Sequence, residues 1–397
     1  MSFFIYPTPK RPQFYFSNRT NVLNFFIDKF FYLRKSELQF LITITKRIVP
    51  NLLIRLFIRL IMKKEKGLPY GMTEEINSMI GFIKRNKNLF SPDSEKHEDI
   101  NFIIRKSKWH RINDKYVILF FKYHDKKPFT VAKVGYLTNE ESIQKEYNNM
   151  KTVFDKFKEN KLALIPEPIA LYTSGNIITY FEKVIDGIPF NDYQKLITEK
   201  RRKQDLHNDI LEKCKNFLVD LHLQKQIFTP EDFSKYFYEP IDNLSKTNLG
   251  EKYKSVLIEL ENQVRKIEKT KLYSVWMHGD FWDGSILYNN GNIGFIDWEF
   301  FSERGVPLWD YFSLVFHIGI NIHYFTSYEI SRKVDYHLLD LAKHCQIDKK
   351  YISTLFQGFL LFNVQMRDTD TEKYWQTLLE YYWNLPRPAG NTAGRLL

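Results

Sequence analysis

Cysteine is nearly absent from this 397-residue chain. Cys214 and Cys345 are the two present, far apart and without CxxC or Cys/His spacing. A disulfide framework and a structural zinc site are therefore not expected, and a reducing compartment is the simple consequence. Glycine (16) and proline (15) are also scarce, which excludes collagenous and low-complexity classes. No uncharged apolar run reaches the ~18 residues that a membrane-spanning helix requires. The N-terminus lacks the basic start, apolar stretch and small residues of a secretory signal. It opens instead on Phe3, Phe4, Tyr6, Pro7, Pro9 and Pro12.

Acidic residues are missing from one region in particular. Residues 1–90 hold 16 Lys and Arg but only 5 Asp and Glu, whereas residues 91–397 hold 42 of each. The whole surplus of +11 thus sits in the first quarter of the chain. That argues against a protein that coats nucleic acid along its body. Helices are expected over about 21–48 and 51–66. In the second, Arg55, Arg59 and Lys63 form one basic stripe at i, i+4, i+8, and apolar residues fill the remaining girth. Such a helix must bury itself in protein or in an interface rich in anionic headgroups, and both readings stay open.

What is abundant is apolar and aromatic, 44% and 16% of the chain, enough for a large core. A polar stretch at 91–99 marks a boundary. Strand-like runs follow at 101–105, 116–123, 129–134, 169–173 and 177–181, with a helix expected over Glu140–Lys158. Its apolar face would carry Ile143, Tyr147, Met150 and Phe154. Beyond Gly187 the pattern turns helical, at about 191–225, 250–268, 308–323, 328–345 and 350–383. The expected organisation is a basic helical segment (1–95), a small strand-rich lobe with one helix (96–187) and a larger helical lobe (188–397).

The stretch that carries chemistry runs from Met277-His278-Gly279-Asp280 through Ser285 to Ile296-Asp297-Trp298-Glu299. Asn289-Asn290-Gly291-Asn292 between them is a tight turn, so two carboxylates, Asp280 and Asp297, flank a hairpin. Phosphoryl transfer needs this kind of pair. One carboxylate orients or accepts the proton of an attacking hydroxyl, and the other holds Mg²⁺ against nucleotide phosphates. One or two protein ligands suffice for a magnesium ion that also binds phosphate.

These residues resemble the aminoglycoside phosphotransferase and choline kinase family, a branch of the protein-kinase-like fold. Its signature is H-G-D-x-x-x-x-N, then I-D-[WF]-[ED], and often a later G-x-P-x-x-D. Here the last is Gly305-Val306-Pro307-Leu308-Trp309-Asp310. The resemblance covers about residues 100–385 and implies an α+β bilobal fold: a small antiparallel-sheet lobe with one helix, then a larger helical lobe. It implies Asp280 as catalytic base, His278 as a brace of its loop, Asp297 as metal ligand and Asp310 as anchor of the loop. Upstream, Val131-Ala132-Lys133 matches the phosphate-pairing lysine, with Glu146 as its partner. The run Phe181-Glu182-Lys183 to Pro189 matches the segment that meets adenine. ATP (or GTP) and Mg²⁺ are the implied cofactors, and the implied partner is a hydroxyl of a small molecule or glycan. The basic segment adds the expectation of a membrane-linked acceptor and of a cytoplasmic protein peripheral on the membrane's inner face.

Two positions depart from the family pattern. Ser285 stands where a metal-binding Asn is usual, with Asp283 nearby as a compensating carboxylate. The nucleotide-covering loop, Ser107–Lys115, has no glycine, so either it works through side chains, with Lys108, Arg111 or Lys115 reaching phosphate, or it sits further away. An inactive pseudokinase scaffold, docking a partner through residues 1–90, is the alternative these departures keep open. Two further choices remain: Glu299 as substrate or metal contact against a cap, and Tyr381-Tyr382-Trp383 as acceptor wall against core.

Overall fold

The computed structural model describes residues 3–8, 11–17, 19–29, 63–65, 72–90, 99–106, 115–123, 125–160, 162–197, 199–322, 328–366, 376–377, 379–380 and 383. Two compact units divide the chain. The first comprises Met1–Ile188 and Leu287–Glu299, and the second Pro189–Ile286 and Phe300–Leu397.

The first unit is built on an eight-stranded sheet. Its strands are β1 (Phe3–Thr8), β2 (Arg11–Ser17), β3 (Lys63–Glu65), β4 (Ile100–Lys106), β5 (Tyr116–Lys122), β6 (Thr130–Tyr136), β7 (Pro168–Ser174) and β8 (Ile177–Lys183). The order is β3-β1-β2-β4-β5-β6-β8-β7, and the pairs are antiparallel. Strand β8 is buried at every position but its last. Both sheet faces are covered there, so side chains on either face are buried.

Helix α1 is Thr20–Lys29. Helix α2 (Met72–Arg85) covers one face of the sheet with Met72, Ile76, Met79 and Ile83, spaced 4, 3 and 4 apart. These pack with Phe102, Ile104, Phe120, Val134 and Phe181, and each such side chain contributes roughly 1.5–3 kcal/mol on burial. Helix α3 (Glu140–Phe157) lies on the other face. Ile143 clusters there with Ile178 and Tyr180, the β8 positions that alternate with Ile177 and Phe181. Glu140 and Glu141 open α3 and Lys156 closes it, the charge order the helix dipole favours.

Three expectations need correction. The N-terminal segment is not purely helical: residues 3–17 form a hairpin that pairs with β4, matching Phe14 to Arg105 and Phe16 to Ile103. The expected 51–66 helix does not run through Lys63, whose backbone pairs instead with Ile5 in β1. The basic stripe therefore loses its last member, and Arg55 and Arg59 lie outside the described residues. On α3 the buried face is Ile143, Glu146, Met150, Val153 and Phe157, with Phe154 only half-buried.

The second unit is mostly helical. Helix α4 is Lys200–His222, α5 Lys254–Glu268, α6 Trp309–Ile322, α7 Tyr328–His344 and α8 Ile352–Met366. A short sheet joins Lys225–Ile227, Tyr273–Met277 and Ser302–Gly305. Trp309 sits in the core against Tyr236, Phe237 and Phe362. Trp383 packs on Tyr253, as core does, whereas Tyr381 and Tyr382 lie outside the described residues. Cys214 and Cys345 are buried free thiols. Among the described residues, no helix is long and apolar enough to cross a membrane.

Candidate active site

Lys133 organises the site residues of the first unit. It lies in β6, opposite Val117 in β5 and Tyr180 in β8, and is 6% exposed. Its Nζ donates to Glu146 Oε1 at 2.6 Å and to Asp297 Oδ1 at 2.9 Å, and lies 4.0 Å from Glu182 Oε2. It also sits 5.4 Å from the Tyr180 ring centroid. Burial pulls the lysine's pKa down, but Asp297, Glu146 and Glu182 together raise it well above the ordinary range. The ammonium therefore stays charged at any working pH.

Glu146 is buried on α3, the one carboxylate on that helix's inner face, because Lys133 compensates it. Glu182 is buried as well and accepts a hydrogen bond from the Tyr180 hydroxyl. Burial, with Glu146 and Asp297 adding like charge against the pull of Lys133, pushes its pKa up to about 7. Asp297 follows a hairpin whose first strand is Ile286–Asn289.

 Its other strand is Asn292–Phe295, and the turn between them places Asn290 and Gly291 at positive φ (48° and 87°), as a tight two-residue turn demands. Asp297 itself has φ +66°, a left-handed conformation that Asp tolerates better than most residues.

Two contacts of this loop were not foreseen from the sequence. Asn149, one turn along α3 from Glu146, donates to the carbonyls of Trp298 (3.0 Å) and Glu299 (3.3 Å). The signal available was its i+3 spacing from Glu146. Lys115 places its Nζ 3.0 Å from Glu146 Oε2 and 2.5 Å from Glu299 Oε2. It was expected as one of three candidates for phosphate; the structure pairs it with two carboxylates. Lys108 and Arg111 lie outside the described residues. Glu299 is half-buried, and its pKa is raised by burial, with Lys115 pulling it back and Glu146 and Asp297 adding to the rise.

The residues around Asp280 in the second unit form their own lattice. His278 is fully buried, and its Nδ1 accepts the Asp280 N–H at 3.3 Å. A ring nitrogen committed in this way cannot also carry a proton, so His278 braces the loop. Asp310, in the first turn of α6, accepts the N–H of His278 at 2.7 Å and of Gly279 at 3.0 Å. Burial pushes its pKa up to about 7 against the pull of these two amides. Gly279 has φ +83°, and a Cβ there would lie 2.4 Å from the Phe300 carbonyl oxygen. No other residue type fits that position without a shift.

Ser285 is the position expected to bind metal or nucleotide. Its side chain is fully buried, and its Oγ donates to the Asp280 carbonyl at 2.8 Å. It ties the loop closed behind Asp280. Asp283 is turned inward as well. Its Oδ2 accepts from Gln194 Nε2 at 2.9 Å, while Gln194 Oε1 lies 3.0 Å from His207 Nε2. Burial and Lys203 lower the His207 pKa to about 3, so the ring is neutral and its Nε2–H donates to Gln194. Gln194 and His207 are thus loop braces that carried no motif in the sequence.

Among the described residues, no group of three or more His, Cys, Asp or Glu forms a metal cage. The donor set still suits a magnesium ion that arrives on phosphate. Among the described residues, Glu146, Glu182, Asp297 and Glu299 share ion pairs with Lys115 and Lys133. When all are ionised, two negative charges are left over, which a divalent cation would balance. Asp297 would hold it, since Mg²⁺ needs few protein ligands when phosphates supply the rest.

Residues 137–330 match the model of the phosphotransferase enzyme family. No curated protein matches the chain. Among solved structures, the chain is similar to APH(2")-IIia in complex with GDP and kanamycin (14% identity, TM-score 0.45, covering 76% of this chain and 97% of that one). It is similar as well to amicoumacin kinase hAmiN in complex with AMP-PNP, Ca²⁺ and Ami (10%, 0.46, 78% and 96%). A glucosamine kinase follows at 12%, 0.41, 75% and 97%. The matched segment contains Glu146, Glu182, the His278-Gly279-Asp280 loop, Asp297 and Asp310.

Proposed function

We propose that this protein transfers the terminal phosphoryl group of ATP or GTP, with Mg²⁺, to a hydroxyl of a small molecule or glycan. The observation that carries this reading is the Lys133 ammonium, held at once by Glu146 and Asp297. Lysine, its helix glutamate and the metal-loop aspartate are the parts that phosphoryl transfer requires in nucleotide-binding kinases. Lys133, kept positive by its carboxylates, neutralises nucleotide phosphate oxygens. Glu146 fixes its direction. Asp297 supplies the metal ligand, and a bound Mg²⁺ would offset the charge of the phosphates.

Asp280 orients the acceptor hydroxyl and takes its proton as the new O–P bond forms and the nucleoside diphosphate leaves. The loop lattice around it, from Asp310, His278 and Ser285, keeps its backbone fixed. Catalysis by such a site is mostly positioning and charge stabilisation. A membrane-linked acceptor is the finer form of this proposal, motivated by the +11 surplus in residues 1–90.

The test is an acceptor screen with labelled nucleotide and Mg²⁺. The panel holds choline, glucosamine, an aminoglycoside and a lipid-linked glycan. Transfer to a hydroxyl, lost in Asp280→Asn, supports the proposal. Nucleotide binding without turnover on any acceptor favours the scaffold alternative.

A further inference from the structure

Lys115 precedes β5 and holds two carboxylates from different elements. Glu146 comes from α3, and Glu299 from the turn that follows Asp297. Glu146 divides its oxygens: Oε2 takes Lys115, and Oε1 takes Lys133. Lys133 then reaches Asp297. The result is an unbroken series, Glu299–Lys115–Glu146–Lys133–Asp297. Its two ends are two residues apart on the same loop, so the series closes on itself.

We propose that Lys115 is a positioning residue for the metal loop, acting through Glu299. The inference rests on the phosphotransferase reading above. Lys133 holds the Asp297 carboxylate. Lys115 supplies the second hold, two residues on, and anchors it to the same Glu146. Asn149 holds the carbonyls between and beyond them. The direction of the Asp297 carboxylate is then set by two lysines that share one glutamate.

Exposed ion pairs contribute little to stability. This one differs because its shared partner, Glu146, has a side chain only 3% exposed, against 25% for Lys115 and 34% for Glu299. Without Lys115, Glu146 and Glu299 would face each other and Asp297 with one cation fewer. Like charges would then push the 297–299 segment away from α3. Groups that orient a metal ligand without touching the metal typically matter about 10- to 100-fold in metal affinity.

The experiment uses the full chain and a fluorescent ATP analogue, titrated at fixed analogue over a range of Mg²⁺. In Lys115→Met, the Mg²⁺ needed for half-maximal binding should rise about 10- to 100-fold, while binding measured without Mg²⁺ changes little. Lys115→Arg should restore most of the loss, because a guanidinium can still bridge two carboxylates. Glu299→Gln should reproduce the defect, and the double variant should be no worse than the poorer single one. An unchanged Mg²⁺ dependence in Lys115→Met overturns the inference, as does an equal loss with and without Mg²⁺. If Lys115→Met does not fold, Glu299→Gln with an unshifted Mg²⁺ requirement overturns it instead. A wild-type chain whose analogue binding never responds to Mg²⁺ overturns the phosphotransferase reading along with this one.

Discussion

Glu182 offers a direct test of the electrostatics around Lys133. The carboxyl is buried between Tyr180 and Lys133, and its pKa is pushed from 4.5 up to about 7. The folded chain therefore holds the Glu182 proton more tightly than the unfolded chain does. This favours folding fully below pH 4.5 and is lost as pH rises to about 7. A shift of that size, at 1.36 kcal/mol per unit, corresponds to about 3 kcal/mol. Glu182→Gln removes the ionisation and keeps an oxygen to accept the Tyr180 hydroxyl. Near pH 5 the variant should melt close to the wild type. The gap should open in the variant's favour through pH 7 and then level off. At roughly 2–4 °C per kcal/mol for a body of this size, the midpoint should rise by several degrees at pH 8. Thermal unfolding followed by circular dichroism from pH 5 to 8.5 reads this out. A gap independent of pH, or a variant less stable at pH 8, would refute the account of this carboxylate.

Three further outcomes follow from the loops. Gly279→Ala forces a side chain onto the Phe300 carbonyl at φ +83°; it should cost about 1–3 kcal/mol and most of the transfer activity, read by melting and turnover together. Asn149→Ala removes two hydrogen bonds to the metal loop, which should cost about 1–3 kcal/mol and raise the Mg²⁺ requirement in nucleotide-binding titrations. Asp297→Asn keeps a residue type that tolerates positive φ, so it should fold normally and lose transfer, whereas Asp297→Ala should lose thermal stability as well.

Much of the site was legible because its residues obey local rules. Glu140–Phe157 reads as a helix from its apolar spacing and end charges, and Glu146 stands out on it once Lys133 is placed on a strand. The hairpin before Asp297 is announced by Asn290-Gly291. What escaped depends on partners distant in sequence. Pro7 and Pro12 sit in a hairpin whose register shifts between Tyr6 and Pro7, a setting in which a strand tolerates proline. Lys63 could continue a helix or pair with Ile5, and only the presence of β1 decides it. Ser285 occupies a ligand's place in the motif, but its hydroxyl turns to the Asp280 carbonyl. Lys115, Asn149 and Gln194 are ordinary polar residues until a carboxylate or carbonyl from another element reaches them.

The central claim is phosphoryl transfer carried by Asp280 and Asp297. Its most direct measurement is transfer of labelled phosphate from γ-labelled ATP across the acceptor panel, comparing the wild type with Asp280→Asn and Asp297→Asn at matched thermal stability. The account predicts a phosphorylated hydroxyl product that requires Mg²⁺ and disappears in both variants. Product formed equally by all three chains, or by none under conditions where the wild type binds Mg²⁺ and nucleotide, would contradict it.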